Sequence, residues 1–404
     1  MRTGKHNDGS GFTLLEMMIS MALGLVVLAS AVGLYSKAMD ANYQVSQRAE
    51  MQQNDRVATD LLSRDISVAG YGLPPGGVQL PVGGTSSLIA CGPGGCYTGY
   101  SAGVGPNGLV YPTVPAYGTN PAVVNTMYGI MTGYRQGISL TNATPASDVI
   151  TVVYADWTYA LNRYLISDWA ADGSSVTLNV NSNLPAGVPL PNDPVFGIKA
   201  GDVILLSSTN GTVAGEITQD VGADGKMYFA NNDPLKINQS GVASGNIKNF
   251  LSGEIKPNQA GCVPVAPNPP LPCPNFTATR ISVTTYYVDI PRGADGILYT
   301  SDDGPPRLMK QINGQLPMPV AENIIGLRLT YDVVDSNGNV TANLVDGGIN
   351  NVPPVSPNQI RKVNLTMSAR TPMRNASGLI SGYQTMSLAT SVGARGMSFR
   401  DRYQ

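Results

Sequence analysis

The 404-residue chain holds one histidine, His6, and its charged residues make up only 13%, with a formal net charge of −2. Beyond residue 11 no imidazole is available as base or ligand, which excludes a histidine-dependent triad or zinc hydrolase from that part of the chain. The near balance of charge leaves no basic footprint for nucleic acid. Cysteine is scarce, with four residues and no CxxC knuckle, so the common zinc pattern is missing too. No phosphate-cradling glycine motif follows a strand, and no repeat recurs at solenoid spacing. Carboxylate pairs such as Asp302 and Asp303 occur without a marked nucleophile. A non-enzyme with no cofactor is expected.

Glycine and proline are plentiful instead, 46 and 30 residues, which predicts many turns and irregular loops rather than charge-laced helices. The apolar residues concentrate at the start. A polar leader, residues 1–11, carries Arg2 and Lys5 and ends in Ser10-Gly11. Then Phe12 to Tyr35 is unbroken apolar sequence with Glu16 as its only ionisable group. At helical rise it spans about 36 Å, enough to cross the hydrocarbon core of a bilayer with some tilt. A secretory signal would place its small residues after the apolar core and lose that core on cleavage, whereas here the glycine comes first. Cutting after Gly11 would retain the helix.

A carboxylate inside such a helix costs about 2.5 kcal/mol or more near the bilayer centre and needs a partner. Glu16 lies one helical turn from Phe12. A free amine on Phe12 would be its natural counter-ion, in the same chain or in a neighbour. The alternative is a Glu16 that sits shallowly and snorkels to the interface.

Gly11-Phe-Thr-Leu-Leu-Glu16, placed between leader and apolar run, closely resembles the class III signal of type IV pilins and type II secretion pseudopilins. The resemblance implies a prepilin peptidase that cleaves between Gly11 and Phe12 and methylates the new amine of Phe12. It also implies that Glu16 sets register by neutralising the amine of an adjacent subunit. Near the other end, Ile324-Ile-Gly-Leu-Arg-Leu-Thr-Tyr-Asp332, Gln359-Ile-Arg-Lys-Val-Asn-Leu-Thr-Met367 and Ser398-Phe-Arg-Asp-Arg-Tyr403 resemble segments of PilW-type minor pilins, and less closely the J-type pseudopilins. The implied fold is α+β and type IV pilin-like: a long N-terminal helix packed on an antiparallel sheet, with large loop-rich insertions. The implied partners are the prepilin peptidase, the major pilin and other minor pilins, the inner membrane, and a large tip adhesin. The implied location is the inner membrane, with a periplasm-facing domain, and then the fibre at the cell surface. A pseudopilin of type II secretion and a pilus-displayed adhesin module are the alternatives.

Helical pattern runs on past the membrane segment. Residues 36–72 are expected to form an amphipathic continuation, with Val45, Val57, Leu61, Leu62, Ile66 and Ala69 on the apolar stripe and Arg48, Asp55, Asp60, Arg64 and Asp65 among the polar residues between them. Gly70-Tyr-Gly-Leu-Pro-Pro75 ends it. Residues 73–404 then read as β-rich, with strands expected at 149–154, 175–181, 202–207, 213–218, 281–288, 324–334, 360–368 and 383–392, and a hairpin turn at Asn337-Gly338. Residues 76–147 and 230–275 read as loops or insertion lobes around the core, with a boundary near residue 280. Cys91 and Cys96 flank Gly-Pro-Gly-Gly, and Cys262 and Cys273 flank a proline-rich stretch. Disulfides between local partners would staple these loops outside the cytoplasm, although four cysteines allow three connectivities. Asp295, Asp302 and Asp303 form a weak calcium candidate without EF-hand spacing; tight turns explain the same Asp-Gly pairs.

Overall fold

The computed structural model describes residues 12–84, 87–89, 126–140, 146–180, 187–241, 243–256, 276–335, 337–345, 356–373 and 382–398. Helix α1 (Leu14–Ser67) is 54 residues long, a rod of about 81 Å. From Leu34 to Ala69 the sequence has neither glycine nor proline, so nothing interrupts the backbone ladder until Gly70 and Gly72, both at positive φ (75° and 74°), turn the chain away.

Short strands follow: β1 (Val78–Gln79), β2 (Thr126–Met127), β3 (Ile130–Gly133), β4 (Val149–Ala155), β5 (Ile166–Trp169), β6 (Ser175–Leu178), β7 (Val203–Ser208), β8 (Gly211–Glu216) and β9 (Lys226–Tyr228). After helix α2 (Ile247–Ser252) come β10 (Phe276–Asp289), β11 (Arg307–Ile312), β12 (Met318–Glu322), β13 (Ile324–Val334), β14 (Val340–Leu344), β15 (Ile360–Arg370), β16 (Thr385–Gly393) and α3 (Arg395–Ser398). They form a nine-stranded sheet along β12-β11-β10-β7-β8-β1-β2 with β4 and β3 branching from β10, a four-stranded sheet β14-β13-β15-β16, and a three-stranded sheet β5-β6-β9.

Strand β10 organises the large sheet. Strand β4 lies along one edge, while β7 and then β11 share the other. Residues Val283 to Val288 are buried on both faces, as a central strand requires. On one face Tyr286, Val288, Ile150 and Val152 join a single core with Ala58, Leu62 and Ile66 of α1 and with Leu327, Leu329, Val363 and Leu365 of the four-stranded sheet. Strands β13 and β15 alternate buried and half-buried positions, the period-two pattern of a sheet with one face on a core. Asp148 stitches the two sheets: its N–H donates to Leu327 O at 2.9 Å and its carboxylate accepts from Leu329 N at 2.8 Å and Arg135 N at 2.9 Å.

The four-stranded sheet that covers α1 is built wholly from residues after Asn323, so the change of sheet falls further along the chain than residue 280. The described parts of 76–147 and 230–275 are not peripheral loops: Val78, Met127 and Met131 in the first and Leu235, Ile237, Ile247 and Leu251 in the second are buried in cores of the large sheet. In the first segment, strands of two to four residues carry too few alternations to be read as a period; in the second, the described element is the six-residue helix α2, too short to show one.

Candidate functional site

At the start of α1, Thr13 is the N-cap, with extended backbone (φ −78°, ψ 150°). Its Oγ1 accepts from Glu16 N at 3.3 Å, while Glu16 Oε2 accepts from Thr13 N and from Thr13 Oγ1, both at 3.0 Å. This reciprocal capping box satisfies two of the orphan donors of the first turn, and the acid sits where the helix dipole favours it. The Thr-x-x-Glu spacing that signals such a box is visible in the sequence. The structure thus binds the Glu16 carboxylate to its own helix start and holds Phe12, 85% exposed, beside it.

Along the following turns, Leu14, Leu15, Met18, Leu25, Leu28 and Leu34 stand exposed, and no residue of α1 before Gln47 is buried. The hydroxyls of Ser20 and Ser30 donate to the carbonyls of Glu16 (2.5 Å) and Val26 (2.8 Å) one turn back, so they are satisfied inside the helix, as an apolar solvent demands. An ideal Cβ on Gly24 or Gly33 would meet nothing within 4 Å. The first part of α1 is thus a largely apolar rod that no described residue buries, long enough to cross a membrane.

The second half of α1 differs from its sequence expectation. Val45 and Val57, expected on the buried stripe, are 64% and 49% exposed. The buried stripe comprises Gln47, Met51, Asp55, Ala58, Thr59, Leu62, Asp65 and Ile66. Two acids placed between stripe residues by sequence therefore face inward. Asp65 Oδ2 accepts from Tyr286 OH at 2.6 Å and pairs with Lys310 Nζ at 2.8 Å. Asp55 is wholly buried and neither carboxylate oxygen has a hydrogen-bond partner among the described residues; burial alone pushes its pKa up to about 6. Nothing in a single sequence announces either partnership, because Tyr286 and Lys310 lie more than two hundred positions from Asp65.

Asp295, Asp302 and Asp303 are spent on their own loop. Asp295 accepts from Ile297 N (2.8 Å), Asp302 from Thr300 Oγ1 (2.7 Å), and Asp303 from Tyr299 N (2.6 Å), Thr300 N (3.1 Å) and Gly293 N (3.2 Å). Among the described residues no three acidic, histidine or cysteine side chains converge as a metal site. Gly11, Cys91, Cys96, Cys262 and Cys273 lie outside the described residues.

The family model of the prokaryotic N-terminal methylation motif matches residues 7–32. That motif indicates a type IV pilin-like or pseudopilin-like protein, a class that is structural, anchored by its N-terminal apolar helix and processed by prepilin peptidase. The long apolar helix followed by a mostly β domain is consistent with a pilin-like α+β architecture. No curated protein and no solved structure matches the chain.

Proposed function

We propose that the chain is a minor pilin of the type IV pilus, of PilW type, that primes or caps fibre assembly and so supports piliation, twitching motility and adhesion. Prepilin peptidase cleaves between Gly11 and Phe12 and methylates the new amine. Glu16 then neutralises the amine of an adjacent subunit, fixing axial register, while the apolar half of α1 packs among the helices of the major pilin and other minor pilins. The β-rich part faces the periplasm before assembly and the outside of the fibre afterwards.

One observation carries the reading: Glu16 is capped onto Thr13, next to exposed Phe12, at the start of an apolar helix that has no buried residue before Gln47 among the described residues. A carboxylate already hydrogen-bonded to Thr13 N–H and Oγ1 is held in place for a second, charged donor, since each carboxylate oxygen accepts more than one bond. The test is a deletion strain complemented with wild-type, Glu16→Gln or Glu16→Leu chains. Loss of surface pili on deletion and at least tenfold lower incorporation of both variants are expected; normal piliation of the deletion strain would sink the priming role. A type II pseudopilin carries the same motif, and a secretion defect with intact pili in that strain would assign the chain to that machine instead.

A further inference from the structure

Most sheet edges among the described residues are protected against pairing with another chain. Strand β12 carries Pro319 and a register irregularity at Leu308/Met309. The far edge of the four-stranded sheet, β14, is five residues long, irregular against Tyr331/Val333, and kinked by Asn343 at φ 59°. Strands β2, β5 and β9 have two to four residues. Short length, proline, bulges and charge are the ordinary devices that blunt an edge.

Strand β16 has none of them. It runs for nine residues, Thr-Met-Ser-Leu-Ala-Thr-Ser-Val-Gly, without proline or charge, in unbroken register with β15. Thr371 N–H donates to Gln384 O and Ala394 N–H donates to Arg361 O. The alternation of an antiparallel ladder then points the backbone groups of Met386, Leu388, Thr390 and Val392 at β15, and those of Thr385, Ser387, Ala389, Ser391 and Gly393 at the open side. Those five outward N–H groups have no acceptor among the described residues. The side chains facing α1, Met386, Leu388, Thr390 and Val392, are only half-buried, so the sheet face is unfinished beside its last strand.

We propose that β16 is a docking edge that receives an extended strand from a different pilin-like subunit, continuing the sheet beside α1. The proposal rests on the assembly reading above. Continuity supports this occupant: the edge flanks the same helix whose open apolar half is the assembly surface. Direction narrows it. Strand β16 rises in the sense of α1, since Arg48 is hydrogen-bonded to Gln384 at its start and Gly70 packs on Met397 past its end. Subunits anchored in one membrane share that helix direction, so β16 of a second copy would meet this edge parallel, the weaker pairing. The second copy's descending edge is β14, the kinked and irregular one. A descending strand from another subunit, apolar on its α1 side and small or polar on the other, fits the edge.

The test uses the full chain in piliated cells. Placing the photo-reactive p-benzoylphenylalanine at position 391 should yield, on irradiation, an adduct with an extended segment of another subunit that carries its own N-terminal methylation motif. An adduct within the chain's own residues 374–381 or 399–404, an adduct with a second copy, or no adduct overturns the proposal. Ala389→Pro removes one outward N–H and leaves the β15 ladder intact; it should lower incorporation into sheared fibres at least tenfold at equal membrane levels, with Ala389→Ser at wild-type level. Should the proline variant be degraded, Ala389→Lys serves in its place. Wild-type incorporation of Ala389→Pro, or of Ala389→Lys where it stands in, alongside a defective Glu16→Gln chain overturns the edge while leaving the assembly reading; wild-type incorporation of Glu16→Gln overturns the assembly reading itself.

Discussion

Asp65, near the end of the long helix, takes both the hydroxyl of Tyr286 and the ammonium of Lys310 on one oxygen, Oδ2, and those two residues are register partners across β10 and β11. A single carboxylate thus fastens the helix to the middle of the large sheet. Burial and then the adjacent carboxylate push the Tyr286 hydroxyl above its ordinary pKa, which favours the protonated form that donates to Asp65.

Asp65→Ala leaves a largely buried ammonium without its partner, and the expected loss is about 3 kcal/mol. Tyr286→Phe removes one hydrogen bond and should cost about 1 kcal/mol. Urea unfolding of the full chain in detergent measures both, and equal costs would contradict the ranking.

Asp55 gives stability a pH dependence of defined sign. Its folded pKa of about 6 lies above the ordinary carboxylate value of 3.8, so between those values the native state binds more protons than the unfolded chain. Its contribution to stability is therefore greatest in acid and falls as pH rises from about 4 to about 6. Asp55→Asn should unfold at higher urea than wild type at pH 7.5, with the difference shrinking or reversing at pH 4.5. A gap that widens in acid would exclude this role.

Arg280 ties three segments together, pairing with Asp156 at 2.7 Å and Asp202 at 3.5 Å and donating to the Phe196 and Gly197 carbonyls. Burial works to raise the pKa of Asp156, but hydrogen bonds from Thr158 and the nearby guanidinium hold it below the usual carboxylate range. Arg280→Met should lower stability by about 3 kcal/mol. Faster proteolytic cleavage within 190–202 would show that the loop is released.

Gly129 packs directly on the turn that ends α1. A Cβ at Gly129 would come within 2.5 Å of Gly70 Cα, while Gly70 N–H donates to Val153 O at 2.8 Å and Val153 N–H to Gly129 O at 2.9 Å. Backbone on backbone has no side chain to yield, so Gly129→Ala should cost about 2 kcal/mol, within the range for overpacking. A thermal midpoint equal to wild type would show that the turn can move.

The strands legible in sequence are those with enough residues to display a period. Strand β13 matches its expected range of 324–334, and β4, β7, β10, β15 and β16 overlap theirs; the Asn337-Gly338 turn joins β13 to β14, with Gly338 at φ 84°. Strands β11 and β12 escaped because Arg307, Lys310 and Pro319 break their alternation. The inward face of α1 was misplaced for a different reason. Hydrophobicity assigns Val45 and Val57 to the core, yet both are exposed, while the polar Gln47 and Asp55 lie on the buried stripe. Asp65 is accommodated only because distant residues complete its hydrogen bonds, and pattern cannot display that. By contrast, Thr13 and Glu16 are a local pair, three residues apart, and their geometry follows from spacing alone.

Among the described residues the buried stripe of α1 begins at Gln47, and the helix ends at a fixed corner. Tension applied to a fibre containing this subunit would consequently enter the rod from Gln47 onward, passing from the four-stranded sheet through the buried stripe, from β10 and β11 by way of Asp65 and from β4 by way of Gly70. These attachments act sideways on the helix axis and would be strained together, in shear, before any single one yields. Mechanical strength would then be set by these attachments acting together, while the exposed remainder of the rod acts as a tether.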